Sequence, residues 1–309
     1  YEKVFNDNSN NLMRRRNLDV MATYTQQLTN WLKLRERFSF QHSNLDYAAV
    51  ENMSYLTSND PIYDHWYINK RNQKKLYVNL DSVKRGTPLV FNPDHKTWTN
   101  NLDFSGIFET GSIKHNFTVG WNWSFFDFTQ YNGYNADDVW GPGLSEIIPV
   151  ADPHSEGAWW DWKVSAAVIR NYTTNAIYVT DVIDFNEHWK AMASGRFDAY
   201  NYKNASAKIE DGRQHYDEED RTDWQEVSTS AFTYRFGIVY LPVPEVSIYA
   251  SAASYYKPNN TIYNKNYIYY DRNGNEFNPD ETGGEVFKPE TGNQFEAGAR
   301  WQKSWFDIN

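Results

Sequence analysis

Phe117-Thr118-Val119-Gly120-Trp121-Asn122-Trp123-Ser124-Phe125 alternates without a break. The odd-numbered residues are all large and apolar, and the even-numbered ones are small or polar. Successive side chains of a strand leave opposite faces, so this segment has one greasy side and one wet side. The pattern recurs along the chain. Leu18, Val20, Ala22 and Tyr24 oppose Asp19, Met21, Thr23, Thr25 and Gln27. Leu32, Leu34, Phe38 and Phe40 oppose Lys33, Arg35, Arg37, Ser39 and Gln41. Phe232, Tyr234, Phe236, Ile238 and Tyr240 oppose Thr233, Arg235 and Gly237, and Phe295, Ala297, Ala299 and Trp301 oppose Gln294, Glu296 and Arg300. The segment 246–256 gives no clean parity.

A soluble β-sandwich also alternates, but its strands are short and the loops at its two ends are similar in length. Here the apolar-polar runs extend over about ten to fifteen residues, and roughly ten tilted residues cross a bilayer. The connections also alternate in length. Tight ones fall at 29–31, 111–112, 185–188, 241–245 and 302–304. Long, polar, aromatic-rich ones run roughly over 44–100, 129–169, 204–228 and 257–291. Trp31, Trp189, Tyr240, Trp301 and Trp305 lie beside the tight turns, where an interfacial girdle belongs. Long strands, short turns on one side and long loops on the other define an all-β fold, a transmembrane antiparallel β-barrel of the bacterial outer membrane.

Composition agrees. The 309 residues are 17% aromatic, carry a net charge of -10 and include no Cys. No apolar run approaches a transmembrane helix, as expected when only alternate residues meet lipid. The acidic balance argues against nucleic acid as a partner. Nine strands are expected near 17–28, 32–43, 101–110, 115–127, 170–184, 188–203, 229–240, 246–256 and 292–302, with a tenth starting at Phe306-Asp307-Ile308. An open sheet in hydrocarbon leaves edge N–H and C=O groups unpaired. The expectation is therefore that residues 1–309 are part of one barrel domain in a longer protein.

Four segments resemble the TonB-dependent outer-membrane receptors, and within them the ferric-siderophore, ferrichrome-receptor-like type. The stretch 101–120 is similar to a mid-barrel hairpin of the family. The pair 176–184 and 193–198 resembles its "YxQD…GxRYD" motif, with Thr180 where the family has Gln. Segments 246–251 and 255–258 resemble "LYASYSxSFKP". The most specific is 287–298, from Phe287-Lys288-Pro289-Glu290 to Ala297-Gly298, which resembles "FKPExGxQYEAG". The resemblance spans 101–302 and implies a 22-stranded barrel whose plug domain and terminal strands lie outside this chain. It further implies capture and import of a ferric siderophore, energised by the TonB-ExbB-ExbD complex. No resident cofactor is implied, since iron travels with the ligand.

The long loops are the expected site of ligand capture, because Tyr and Trp offer rigid contact area with a polar tip. The candidates are Tyr131, Tyr134, Trp140, Trp159 and Trp160, with Trp162, and from the 44–100 loop Tyr55, with Tyr63, Trp66 and Tyr67. The plain alternative is that these rings pack the loops or join the upper girdle. Arg14-Arg15-Arg16 falls on the long-loop side, as a solvated rim or a contact for lipopolysaccharide phosphates or an anionic ferric complex. A surface lipoprotein is a further candidate partner. Lumenal Arg35, Arg37, Arg196, Arg235 and Arg300 are expected to pair with Asp103, Glu109, Asp198 and Glu296, or with a plug.

Other features point elsewhere than to chemistry. Asp271 to Glu276 lacks the Gly and the bidentate Glu of a calcium loop, and its Asn273-Gly274 pair fits a hairpin tip. Seven His show no ligand spacing, and no carboxylate pair sits in a catalytic frame, so no enzyme is expected. Two other readings are kept: an outer-membrane importer of glycan or cobalamin, and a secreted carbohydrate-binding or carbohydrate-active β protein.

Overall fold

A computed structural model of the chain describes residues 12–49, 53–85, 89–134, 147–151, 164–258, 268–277, 289–303 and 306–308. In chain order the strands are β1 (Leu12–Gln27), β2 (Leu32–Ala49), β3 (Met53–Ser58), β4 (His65–Ile68), β5 (Lys75–Arg85), β6 (Leu89–Thr110), β7 (Ile113–Tyr134) and β8 (Ile147–Pro149). They continue with β9 (Ala166–Asp184), β10 (Trp189–Lys208), β11 (Gln225–Val243), β12 (Val246–Lys257), β13 (Tyr269–Tyr270), β14 (Glu276–Phe277), β15 (Glu290–Lys303) and β16 (Phe306–Ile308).

Ten of these form one antiparallel sheet in the order β1-β2-β6-β7-β9-β10-β11-β12-β15-β16. Each sheet strand pairs with the next sheet strand along the chain, which is the up-and-down wall of an outer-membrane barrel. The remaining strands build small sheets in the long connections. β3, β5 and β4 form one, with β8 added to β5, and β13 pairs β14.

From β1 through β11 the pairing runs without a register break inside any strand pair, apart from a pause between Asn44 and Ala48 that keeps the same offset. Parity therefore carries across the whole wall. Phe104 faces Val119, which faces Val179; Leu102 faces Trp121, which faces Ile177. Along this outer face Ile177 is 61% exposed, Phe232 65%, Phe236 52% and Phe295 77%. A water-soluble chain does not leave so large an apolar surface bare, and a polar pair on it, Glu36 and Asn100, is joined by a hydrogen bond. This is the lipid face. The register also settles β12: Ile248, Ala250 and Ala252 sit opposite the lipid-facing Ala299, Ala297 and Phe295, and Ser247, Tyr249 and Ser251 take the inner side.

Aromatic rings mark both edges of the band. On the tight-turn side Trp31 lies 6.3 Å from Phe117, Phe117 lies 5.6 Å from Phe108, and Trp189 stacks on Tyr240 at 4.6 Å. On the other side Phe40, Trp98 and Phe125 form a row at 5.2 and 5.6 Å. Phe117 and Phe125 are eight residues apart, roughly 27 Å of strand. Tilted as barrel strands are, that matches an apolar band about 25 Å tall.

The inner face is a polar network. Tyr178 donates to Asp103, Arg196 is bidentate on Asp198 and reaches Asn122, and Asn122 donates to Asn101. Gly120 sits among them: a Cβ there would come within 2.6 Å of the Asp103 carboxylate and closer still to the Tyr178 ring. The expected pairing of Arg196 with Asp198 is present, while Asp103 accepts from a tyrosine.

The strands outrun the membrane. The sequence pattern places 101–110 and 115–127 in strands, yet β6 begins at Leu89 and β7 continues to Tyr134. Above the upper girdle the outer face turns from lipid-facing to protein-covered. Ala48, Val90, Ala167, Ile169, Ala205 and Ala207 are buried there with Val164 and Ile209, and Tyr131 and Tyr216 pack against them. The cover is a strap, residues 209–224, that folds back over the wall. It is pinned by Val164 N–H to Gly212 O, Ile209 N–H to Ser165 O and Thr222 N–H to Ser206 O. The acidic run in the strap forms a short 3-10 turn, Glu218–Asp220.

Candidate functional site

The inner face changes character at the same height. Below Ser124 the inward residues of β7 are polar or glycine; immediately above it come Phe126 and Phe128. Cross-strand register sets Phe126 beside Tyr172, Tyr172 beside Tyr202, and Phe128 beside Arg170. The rings meet. Phe126 and Phe128 stack at 5.9 Å, Phe126 meets Tyr172 edge-on at 5.3 Å, and Tyr172 lies 4.9 Å from Tyr202 and 6.2 Å from Tyr200. His95 lies 5.6 Å from Phe126. Such pairs are worth about 0.5–1.5 kcal/mol each beyond their burial, so the wall is rigid before any ligand arrives.

Arg170 supplies the wall's charge. Its guanidinium lies 5.6 Å over the Phe128 ring and shares a hydrogen bond with Tyr202. Its Nε–H is buried and has no acceptor among the described residues. Arg170 as a whole is only half-buried, so its guanidinium can still offer charge to an anionic ligand atom. A planar guanidinium lying on an aryl ring suits flat, anionic groups.

A second aromatic surface lies on the small outer sheet. Lys75 Nζ sits 4.3 Å over the Trp66 ring and 4.7 Å over Tyr77. Tyr55, on β3 opposite Val83, is 46% exposed. Of the other expected residues, Tyr131 lies on the outer parity of β7 and packs beside the cluster under the strap, opposite Ala167. Tyr134 is the last residue of β7. Trp140, Trp159 and Trp160 lie outside the described residues.

None of the inner wall was singled out as a site from sequence. The signal was present in Phe125-Phe126, where two adjacent rings break the alternation and send one to each face.

Residues 2–309 match the family described as TonB dependent receptor-like, beta-barrel. This chain belongs to that family. It is a family of outer-membrane receptors, and membership places the chain in the bacterial outer membrane as part of a β-barrel. A curated relative, the metal-pseudopaline receptor CntO of Pseudomonas aeruginosa, is 23% identical over 298 residues, covering 92% of this chain and 33% of the relative. The probable TonB-dependent receptor BfrD of Bordetella pertussis is 25% identical over 233 residues, 67% of this chain and 27% of that protein. The chain thus spans about a third of the length of the curated relatives it matches. Among solved structures, the ferric-catecholate import receptor Fiu of Escherichia coli superposes with a TM-score of 0.65 at 18% identity, over 95% of this chain and 39% of that one. The barrel wall is the shared feature. The family is one of receptors and transporters and not of enzymes.

Proposed function

We propose that the whole receptor captures and imports a metal–siderophore complex, a ferric siderophore in the first instance, with TonB-ExbB-ExbD supplying the energy. One observation carries the reading: the half-buried guanidinium of Arg170, set in an inward wall of five aromatic rings above the membrane. A chelated metal complex is bulky, flat in places and commonly anionic. The rings offer it area and the guanidinium offers it charge. The names of the similar receptors support the class, as both CntO and Fiu are described as receptors for metal-carrying ligands. Membership of a barrel family sets aside the secreted carbohydrate-binding alternative, and a glycan or cobalamin importer becomes an outcome of the test.

In the full-length receptor, Arg170→Ala should weaken ferric-siderophore binding about tenfold or more, the loss of one charge-assisted contact. Tyr172→Ala should do so in lesser degree. Tyr131→Ala, on the outer face, should leave affinity unchanged while the barrel still folds. Titration by intrinsic fluorescence reads all three. Equal affinity in wild type and Arg170→Ala, or tight binding of an uncharged oligosaccharide instead, overturns the proposal. The same titration with Trp140→Ala tests the 135–163 loop. Arg14 and Arg16 lie on the outer parity of β1, where lipopolysaccharide would meet them; Arg16 is already 3.2 Å from Asp46.

A further inference from the structure

We infer that the lipid-facing surface at the tight-turn end holds a binding site for a single glycerophospholipid of the periplasmic leaflet. Three polar side chains stand on the outer parity there, among residues that are otherwise apolar. His115 Nδ1 lies 2.7 Å from Asp181 Oδ2, and His115 Nε2 lies 2.8 Å from Thr110 Oγ1. The imidazole lies flat on Phe108, 4.6 Å between centroids and 4° between planes. Polar groups facing hydrocarbon are costly unless something meets them. Within the cluster Asp181 Oδ2 is answered by His115 and His115 by Thr110, whereas Asp181 Oδ1 is buried with no partner among the described residues. Whichever way its bond to His115 runs, the exposed Thr110 hydroxyl keeps a position open to a further polar group.

An apolar groove adjoins the cluster, lined by Trp31, Ile107, Phe108 and Phe117. Gly106 lies in its floor: a Cβ there would come 2.5 Å from the Trp31 carbonyl oxygen and 2.8 Å from the Phe117 ring. The order along the wall decides the occupant. Thr110 and His115 lie nearest the turn at Gly111-Ser112, and Gly106 and Phe117 lie deeper in the membrane. A phosphodiester placed at Thr110 and His115 therefore puts its acyl chains into the groove and toward the bilayer centre. That is the orientation of a lipid in the leaflet on the turn side. The Thr110 hydroxyl and the unmet Asp181 oxygen complement the polar headgroup of a zwitterionic phosphoethanolamine, and the rings complement the glycerol and the first methylenes.

The test is lipid retention by the purified, delipidated full-length receptor in detergent, read by native mass spectrometry. Dioleoyl phosphatidylethanolamine is compared with dioleoylglycerol, which has the same chains and no phosphate. The wild type should retain the phospholipid about tenfold better, as expected for one charge-assisted hydrogen bond. His115→Gln and Thr110→Val should each remove that preference, and Thr110→Ser should keep it. Should His115→Gln fold poorly, Thr110→Val, at an exposed position, carries the test alone. Equal retention of the two lipids by the wild type, an undiminished preference in folded Thr110→Val, or equally tight retention of lipid A would overturn the inference.

Discussion

Ile177 is the cleanest probe of which side of the wall meets lipid. It sits beside Trp121, midway between the two girdles, and is the more exposed of the two. Ile177→Arg should cost roughly 2–4 kcal/mol, and Thr118→Arg, on the inner face, well under that. Urea unfolding in lipid vesicles measures both; equal costs would contradict the facing. Phe117, only four residues above its turn, lies near the interface, where an Arg costs about 0–1 kcal/mol for the transfer itself. Facing was legible residue by residue, because hydrophobic alternation is what fixes it. The inner aromatic wall was not. Phe126, Phe128, Tyr172 and Tyr202 are apolar residues on the wet side, and alternation reads such residues as noise. Arg170 likewise gave no cue, since its worth depends on rings brought in from neighbouring strands.

Asp271 offers a residue whose behaviour follows from pH. Its carboxylate accepts the backbone N–H groups of Asn273 and Asn275, both at 2.8 Å, across the hairpin of β13 and β14. The N–H of Asn275, foremost among these donors, holds the carboxyl below its usual range. A group whose folded value is depressed contributes order that is complete above its unfolded value, about 3.9, and lost as pH falls through the folded value. The hairpin tip should therefore be fully formed at neutral pH and loosen in acid. Amide chemical shifts of Asn273 and Asn275 followed from pH 7 to pH 2 would show it, and Asp271→Asn should flatten the titration.

The ten wall strands were legible in number and type, and less so in extent. The membrane-crossing halves announce themselves by period, whereas the upper parts of β2, β6, β7 and β10 are mixed sequences held in register by neighbours already paired. The buried cluster under the strap shows how this upper wall is stabilised without lipid. Tyr216 is central to it, and burial pushes its phenol above the ordinary range. Tyr216→Ala should cost about 1–3 kcal/mol locally, less than a fully buried aromatic because the ring is only partly covered. The strap would then be cut faster by trypsin at Arg213 or Arg221, while the barrel below stays resistant. Unchanged cleavage would mean that the pinning hydrogen bonds, and not the apolar cover, hold the strap in place.

The whole wall is one up-and-down sheet, and that topology followed from turn lengths before any pairing was known. The small sheet of β3, β4, β5 and β8 did not, because its β5–β8 pairing joins segments more than sixty residues apart inside the long connections. The height of the central hairpin has a practical outcome. At 22 residues, β6 runs about 70 Å end to end, more than twice what a tilted strand needs to cross hydrocarbon. This stretch carries no native cysteine, so a single engineered thiol reports on one address. On living cells, a membrane-impermeant maleimide should tag Lys208→Cys within minutes and leave Ile177→Cys unmodified. A bulky dye on Lys208→Cys would then ride like a flag above the cell surface, visible to a microscope without breaking the envelope.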